Sequence, residues 1–154
     1  MILISACLAG IACRYDGTDC KESRLATLVE LGKAKYVCPE VLGNLPTPRE
    51  PAEIQGGNGE DVLAGKAKVI DRTGHDVTDM FVEGAYQALA VAKKLKAKQI
   101  VLKENSPSCG SANIYNGRFT GEKQDGMGVT AALLRQHGYS VISEHELDKL
   151  LDQK

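Results

Sequence analysis

The stretch TDMFVEGAYQALAVAKKLKAKQIVL, residues 78–102, places an amphipathic helix directly before a short apolar strand. Its apolar residues recur at the spacing of one helix face, and lysines fill the predicted last turn, where they suit the helix dipole. Thr78 or Asp79 is the expected N-cap. QIVL at 99–102 then has the character of a buried strand. A helix leading into a buried strand is the repeating unit of α/β proteins.

The same alternation continues on both sides of this stretch. Upstream lie a predicted strand at 2–6, a helix over 22–31 and a strand at 35–37; downstream lie a helix over 127–136, a strand at 139–142 and a last helix over 144–151. This order predicts a three-layer, Rossmann-like α/β fold with a mainly parallel sheet, formed by a single domain of residues 1–154.

The remaining segments are predicted to be loops and one small hairpin. Four of the five prolines fall between Pro39 and Pro51, so this segment is expected to be an ordered loop without helix or central strand. Residues 66–71, with the turn 72–76, predict a hairpin. GGNG at 56–59 is too weak a match to a phosphate-binding loop, because no helix clearly starts behind it.

Composition narrows the function. Nineteen basic and twenty acidic residues in 154 give a net charge of −1, which argues against a nucleic-acid polymer or an anionic membrane as partner. The sequence has no apolar run of the roughly 20 residues that a membrane span needs, and its start lacks a basic leader. We therefore expect a cytoplasmic protein, in which five cysteines serve as buried thiols, metal ligands or reactive groups rather than disulfides.

Three cysteines follow predicted strands: Cys7, Cys38 and Cys109. The carboxyl ends of parallel strands share one edge of a sheet, so these thiols could meet in one pocket. Zinc is not favoured, because the sequence has no close CxxC pair, whereas scattered thiolates suit an iron-sulfur cluster. Two alternatives remain open: a metal-free enzyme in which Cys109 or Cys13 carries a persulfide, and a metal-binding scaffold.

Four segments together resemble a known family. They are SACLAGIACRYDG, VCPEVLGNLPTPREPAEI, LKENSPSCGS and GMGVTAALLRQHG, and they occur in the family's order over nearly the whole chain. The family is that of 2-thiouracil desulfurase. The resemblance implies a [4Fe-4S] cluster held by three cysteines, whose open iron binds the sulfur of a small thiolated heterocycle such as thiouracil while hydrolysis replaces sulfur with oxygen.

Carried over by motif, the implied cluster ligands are Cys7, Cys38 and Cys109. The implied catalytic residues are Glu40, which would activate water or shuttle protons, and Ser106, near the substrate. Cys13 lies in a family motif and is the main rival as ligand. Cys20 lies outside the motifs and is expected to be a bystander.

Structural roles compete with these assignments. Glu40 could cap a helix or pair with Arg49, and Arg14 and Arg49 are expected to brace loops. Asn44 stands where the family tends to have glycine, and asparagine tolerates the left-handed conformation that such a turn needs.

Overall fold

A computed structural model of the chain describes residues 1–148 and contains a parallel sheet between layers of helix. The strands are β1 (Ile2–Ser5), β2 (Ala34–Val37), β3 (Ala52–Gln55), β4 (Lys68–Asp71), β5 (Gln99–Leu102), β6 (Asn113–Tyr115), β7 (Lys123–Asp125) and β8 (Val141–Ser143). The helices are α1 (Ser23–Glu30), α2 (Pro39–Leu42), α3 (Gly59–Leu63), α4 (Thr78–Leu95) and α5 (Val129–Gln136), with 3-10 turns at Ala6–Ala9 and Glu144–Glu146.

The central sheet has the order β2-β1-β5-β8, with every neighbouring pair parallel. Alternate residues of its strands enter two separate hydrophobic clusters. Leu3 and Ile100 pack with α4 and α5 on one face, whereas Ile4 and Val101 pack with Leu25 of α1 on the other. The predicted three-layer α/β fold with a parallel sheet is therefore confirmed.

Helix α4 supports the sheet along its length. Its buried face contains the apolar residues that the sequence places at helical spacing, among them Phe81, Ala85 and Leu89. The predicted cap is wrong: the carboxylate of Asp76 accepts the N–H of Thr78, whose hydroxyl instead accepts the N–H of Val69. Within the described part of the chain, no helix combines the length and the apolar character needed to cross a bilayer.

Two predicted loops contain a short helix, and the expectation of no helix between Pro39 and Pro51 is wrong. Pro39 begins the one-turn helix α2, because proline fits the first helical position, where no N–H is needed. The turn after α2 forms with asparagine in place of glycine, since Asn44 adopts the left-handed conformation with φ of 69°. Asn58 within GGNG caps α3, which begins at Gly59, so the expectation that no helix starts behind this motif is wrong.

The short hairpins differ in detail from the prediction. Strand β4 pairs along its length with β3, and only an isolated bridge joins Ile70 to Asp76 across the predicted turn. The β6–β7 hairpin was not predicted. The last helix, predicted over 144–151, begins with a 3-10 turn, and its final residues lie outside the described part of the chain.

Candidate functional site

Four cysteines from distant parts of the sequence line one cavity of about 740 Å³ at the carboxyl edge of the sheet: Cys7, Cys13, Cys38 and Cys109. Cys7 lies in the 3-10 turn after β1, Cys38 directly follows β2, and Cys109 lies in the loop after β5. The cavity also contains Glu40 and Ser106, so the structure brings together all five residues expected at the site.

Cys13 occupies a place between two of the predicted ligands. Its thiol interacts with the thiols of both Cys7 and Cys38. Cys20 is not among the lining residues, although its backbone N–H donates to the carbonyl of Cys7 over 2.9 Å.

Helix α2 positions Cys38 and Glu40 through a close crossing with α4. Cys38 is the N-cap of α2, and Glu40 lies in its first turn. Two glycines allow the helices to meet: a Cβ on Gly43 would lie 2.0 Å from the carbonyl oxygen of Met80, and a Cβ on Gly84 would lie 1.9 Å from that of Pro39. Sequence reasoning missed Gly84, because a mid-helix glycine reveals its partner only in the folded chain.

Ser106 organises the loop that holds Cys109. Its Oγ accepts the backbone N–H groups of Ser108 and Cys109, each over 3.0 Å, and its own proton is donated to Oε1 of Glu40 over 3.4 Å. The late GMG motif supports the same loop, since a Cβ on Gly128 would lie 2.5 Å from the carbonyl carbon of Ser108. Two motifs that are distant in sequence thus form one structural unit.

Arg49 braces three segments around the cavity. Its Nη2 donates to Oε2 of Glu40 over 2.6 Å and to the carbonyl of Cys13 over 3.1 Å, and its Nη1 donates to the carbonyl of Pro46 over 3.2 Å. The bracing role expected for Arg49 and its pairing with Glu40 are both confirmed. Because Arg49 holds Oε2, only Oε1 of Glu40 remains for exchange with Ser106 or with a molecule in the cavity.

Glu104 is a structural residue that sequence reasoning missed. Its buried carboxylate accepts backbone N–H groups of Asn105 and of the three residues 111–113, together with the hydroxyl of Ser111. Burial raises the pKa of Glu104, but these hydrogen bonds outweigh burial and lower it below its usual value. The residue therefore stays ionised and fixes the loop beyond Cys109.

Lys103 brings a positive charge to the thiol cluster. Its Nζ lies 2.8 Å from Oε2 of Glu144. Burial lowers the pKa of Lys103, but the hydrogen bond and ion pair with Glu144 raise it above its ordinary value, and the nearby Cys20 and Cys7 add to this. The ammonium thus remains charged in the wall of the cavity that the thiols line.

The thiols of Cys13 and Cys109 are protonated at neutral pH in the metal-free chain. A hydrogen bond with Cys38 lowers the pKa of Cys13, but one with Cys7, burial and nearby Glu40 raise it to about 11. Burial, followed by the charge of Glu40, raises the pKa of Cys109 to about 12. A cysteine nucleophile must be a thiolate, so neither residue is prepared for metal-free chemistry, whereas a bound metal deprotonates its thiol ligands outright.

The donor chemistry of the cavity fits an iron-sulfur cluster. Soft thiols converge on it from loops, as such clusters require, and charged and hydroxyl groups lie beside them. No set of three His, Cys, Asp or Glu side chains in residues 1–148 is gathered closely enough to hold a single metal ion.

Comparison with known proteins agrees with this description. The family model described as 2-thiouracil desulfurase matches residues 2–146. A Bacillus subtilis (strain 168) protein described as uncharacterized protein YbbK is 57% identical over 151 residues, which cover 98% of this chain and 100% of the relative. A solved structure of the [4Fe-4S]-dependent thiouracil desulfidase TudS matches with a TM-score of 0.85 and 45% identity, covering 97% of this chain and 94% of that one.

Proposed function

Because the chain belongs to the 2-thiouracil desulfurase family, a family of enzymes, we propose that it removes sulfur from a thiolated pyrimidine such as 2-thiouracil by hydrolysis. Water supplies the oxygen of the new carbonyl group, and the sulfur leaves as hydrosulfide, with no net electron transfer. The observation that carries this proposal is the cavity in which four thiols lie beside the linked side chains of Glu40 and Ser106. One domain, residues 1–154, would perform the reaction.

We assign Cys7, Cys38 and Cys109 as the ligands of a [4Fe-4S] cluster, with one iron left open. When bound, the cluster supplies a thiophilic Lewis acid that attracts the substrate sulfur and polarises the carbon under attack. Cys7 and Cys38 lie within two residues of the ends of β1 and β2, and Cys109 lies in the loop after β5 that Ser106 organises. Cys13 is the rival ligand, since its thiol interacts with those of Cys7 and Cys38.

Glu40 is assigned as the general base. Arg49 fixes one carboxylate oxygen, which leaves Oε1 to take a proton from water. Ser106 already donates its proton to this oxygen, and its Oγ is held by two backbone N–H groups. Because both lone pairs of the hydroxyl oxygen are engaged by these N–H groups, Ser106 orients the carboxylate of Glu40 beside the substrate rather than relaying a proton itself.

A metal-free persulfide enzyme receives less support. Its candidate nucleophiles, Cys13 and Cys109, are buried, and the pKa of each thiol is raised. Neither would be a thiolate at neutral pH.

The proposed partner is a small thiolated heterocycle and not a nucleic-acid polymer, because the net charge of −1 offers no excess of cations for a phosphate backbone. We also propose a cytoplasmic location. All five cysteines are free thiols, as a reducing compartment maintains them.

The first experiment measures iron and acid-labile sulfide in protein purified without oxygen, together with uracil release from 2-thiouracil. About four iron atoms and four sulfides per chain are expected. Alanine at any one of the proposed ligands Cys7, Cys38 and Cys109 should abolish iron binding. Cys20→Ala should not. Iron lost from Cys13→Ala but kept by Cys38→Ala would reassign the ligand, and a chain without iron after reconstitution would refute the proposal.

A second experiment isolates the base. Glu40→Gln should keep the cluster and the contact with Ser106 but lower kcat by about 100-fold or more, since general base catalysis contributes that much. Full turnover in this variant would exclude Glu40 as the base.

A further inference from the structure

Glu53 is one of several carboxylates in the wall of the same cavity, and the proposed reaction makes no use of it. It lies on β3 and is only 8% exposed. Its Oε1 accepts the backbone N–H of Gly117 over 2.9 Å and that of Phe119 over 3.2 Å. One oxygen of Glu53 therefore fixes the turn between β6 and β7.

The other oxygen, Oε2, has no hydrogen-bond partner among residues 1–148. No buried side-chain oxygen or nitrogen in that part of the chain lacks a partner, so Oε2 must be accessible, and the cavity is the space that Glu53 lines. Carboxylates this deeply buried are normally paired or hydrogen-bonded. The missing donor is therefore expected to come from a molecule that enters the cavity.

The turn held by Oε1 brings an aromatic ring to the same wall. Phe119 lines the cavity and has a φ of 57°, in the left-handed region that bulky residues rarely adopt. Such a conformation persists where the surroundings enforce it, and such residues cluster at ligand sites. The hydrogen bond from its N–H to Glu53 supplies part of that constraint, and both residues line the same cavity.

We propose that Glu53 is a specificity-determining residue whose Oε2 accepts the ring N–H beside the C=S group of the substrate, while Phe119 contacts the face of the ring. This inference rests on the proposed desulfurase function and names the feature of the substrate that the site recognises. In 2-thiouracil both ring N–H groups flank the thiocarbonyl, so methylation of the one that donates to Oε2 removes the contact, whereas methylation of the other leaves it.

The test compares 2-thiouracil, 1-methyl-2-thiouracil and 3-methyl-2-thiouracil as substrates of the reconstituted enzyme, with iron per chain measured for each protein. The variant Glu53→Gln keeps a carbonyl oxygen for the N–H groups of Gly117 and Phe119 but replaces the free acceptor with a donor. Gln55→Ala is the matched control, because it removes the 3.0 Å hydrogen bond from Gln55 Nε2 to the carbonyl of Gly117 and leaves the free oxygen of Glu53 intact.

Glu53→Gln should lower kcat/KM for 2-thiouracil by about 10- to 100-fold, the range for a hydrogen bond to a charged group. One methylated isomer should already be slowed in the wild-type enzyme by a similar factor, and Glu53→Gln should slow it no further. The other isomer should show the full effect of the variant, and Gln55→Ala should change all three substrates little.

Four results would overturn the inference: an unchanged Glu53→Gln enzyme, an equal loss for all three substrates, the same losses in Gln55→Ala, or loss of iron from Glu53→Gln alone. The first three would leave the desulfurase function standing. A wild-type enzyme that holds iron but desulfurises none of the three compounds would instead remove the function on which this inference rests.

Discussion

Replacing Gly84 with alanine tests the close helix crossing that positions Cys38 and Glu40. The new Cβ would lie 1.9 Å from the carbonyl oxygen of Pro39, at the start of α2. Gly43 makes the reciprocal approach, so the two backbones touch on both sides and neither has a flexible side chain that could yield. Relief requires α2 to move away from α4.

Helix propensity and packing predict opposite effects of Gly84→Ala on the free energy of unfolding. Glycine to alanine inside a helix stabilises by about 1 kcal/mol when nothing is in the way. Here ordinary contact demands a separation about 1.5 Å larger, and overpacking of this kind costs about 3 kcal/mol. The net expectation is a loss of about 2 kcal/mol, or a fall in Tm of about 4–8 °C for a domain of this size.

The assay is urea and thermal unfolding of the metal-free chain, followed by iron per chain after reconstitution. Ala90→Gly, on the exposed face of the same helix, measures propensity alone and should cost about 1 kcal/mol. Because α2 carries Glu40 and follows Cys38, Gly84→Ala should also bind less iron. A variant at least as stable as the wild type, with full iron, would refute the argument from packing.

Three further substitutions test the supports of the cavity. Glu104→Gln should lower the free energy of unfolding by about 2 kcal/mol at pH 7. Because the folded-state pKa of Glu104 is lowered, its contribution to stability is present above the unfolded pKa of about 4.3 and is lost as pH falls through the folded pKa. Urea unfolding between pH 7 and pH 3 should therefore show a smaller loss of stability with acid in the variant than in the wild type. Arg49→Lys should lower kcat at least about tenfold, since one ammonium cannot reach both Glu40 and the carbonyl of Cys13; an unchanged kcat would count against the brace. Gly128→Ala should lower the urea midpoint and iron content together, because its Cβ would collide with the loop of Cys109; a change in neither would contradict this.

The parts of the fold predicted from sequence are those with strong hydrophobic periodicity. Helix α4 and the strands β1 and β5 could be predicted, because the apolar residues of α4 recur at helical spacing and the two strands are short apolar runs. The strands that escaped prediction are β3, β6 and β7. They read AEIQ, NIY and KQD, and each is too short and polar to show a pattern. Their pairing depends on partners that the local sequence does not reveal.

The candidate site divides in the same way. The meeting of Cys7, Cys38 and Cys109 could be expected, because parallel strands end at one edge of the sheet. Gly84 and Glu104 could not be assigned a role, since Gly84 acts through the backbone of α2 and Glu104 through backbone N–H groups up to nine residues further along its own loop. A carboxylate that holds a loop and one that performs chemistry are identical in sequence.

The occupancy of carboxylate oxygens separates these two kinds of residue in the folded chain. Loops at a metal site lack the hydrogen-bond ladder of regular structure, so their buried N–H groups need acceptors, and acidic side chains provide them. Every hydrogen bond to the carboxylate of Glu104 comes from its own loop: Oε1 accepts four backbone N–H groups and Oε2 accepts the hydroxyl of Ser111. Glu40 is instead held from two other segments, with Arg49 on Oε2 and Ser106 on Oε1, and Oε2 of Glu53 has no donor among residues 1–148. A carboxylate bound only by its own loop serves that loop, whereas one that joins segments around the cavity, or that keeps an oxygen without a donor, is available to a molecule there, which is why proton transfer is assigned to Glu40 and recognition to Glu53.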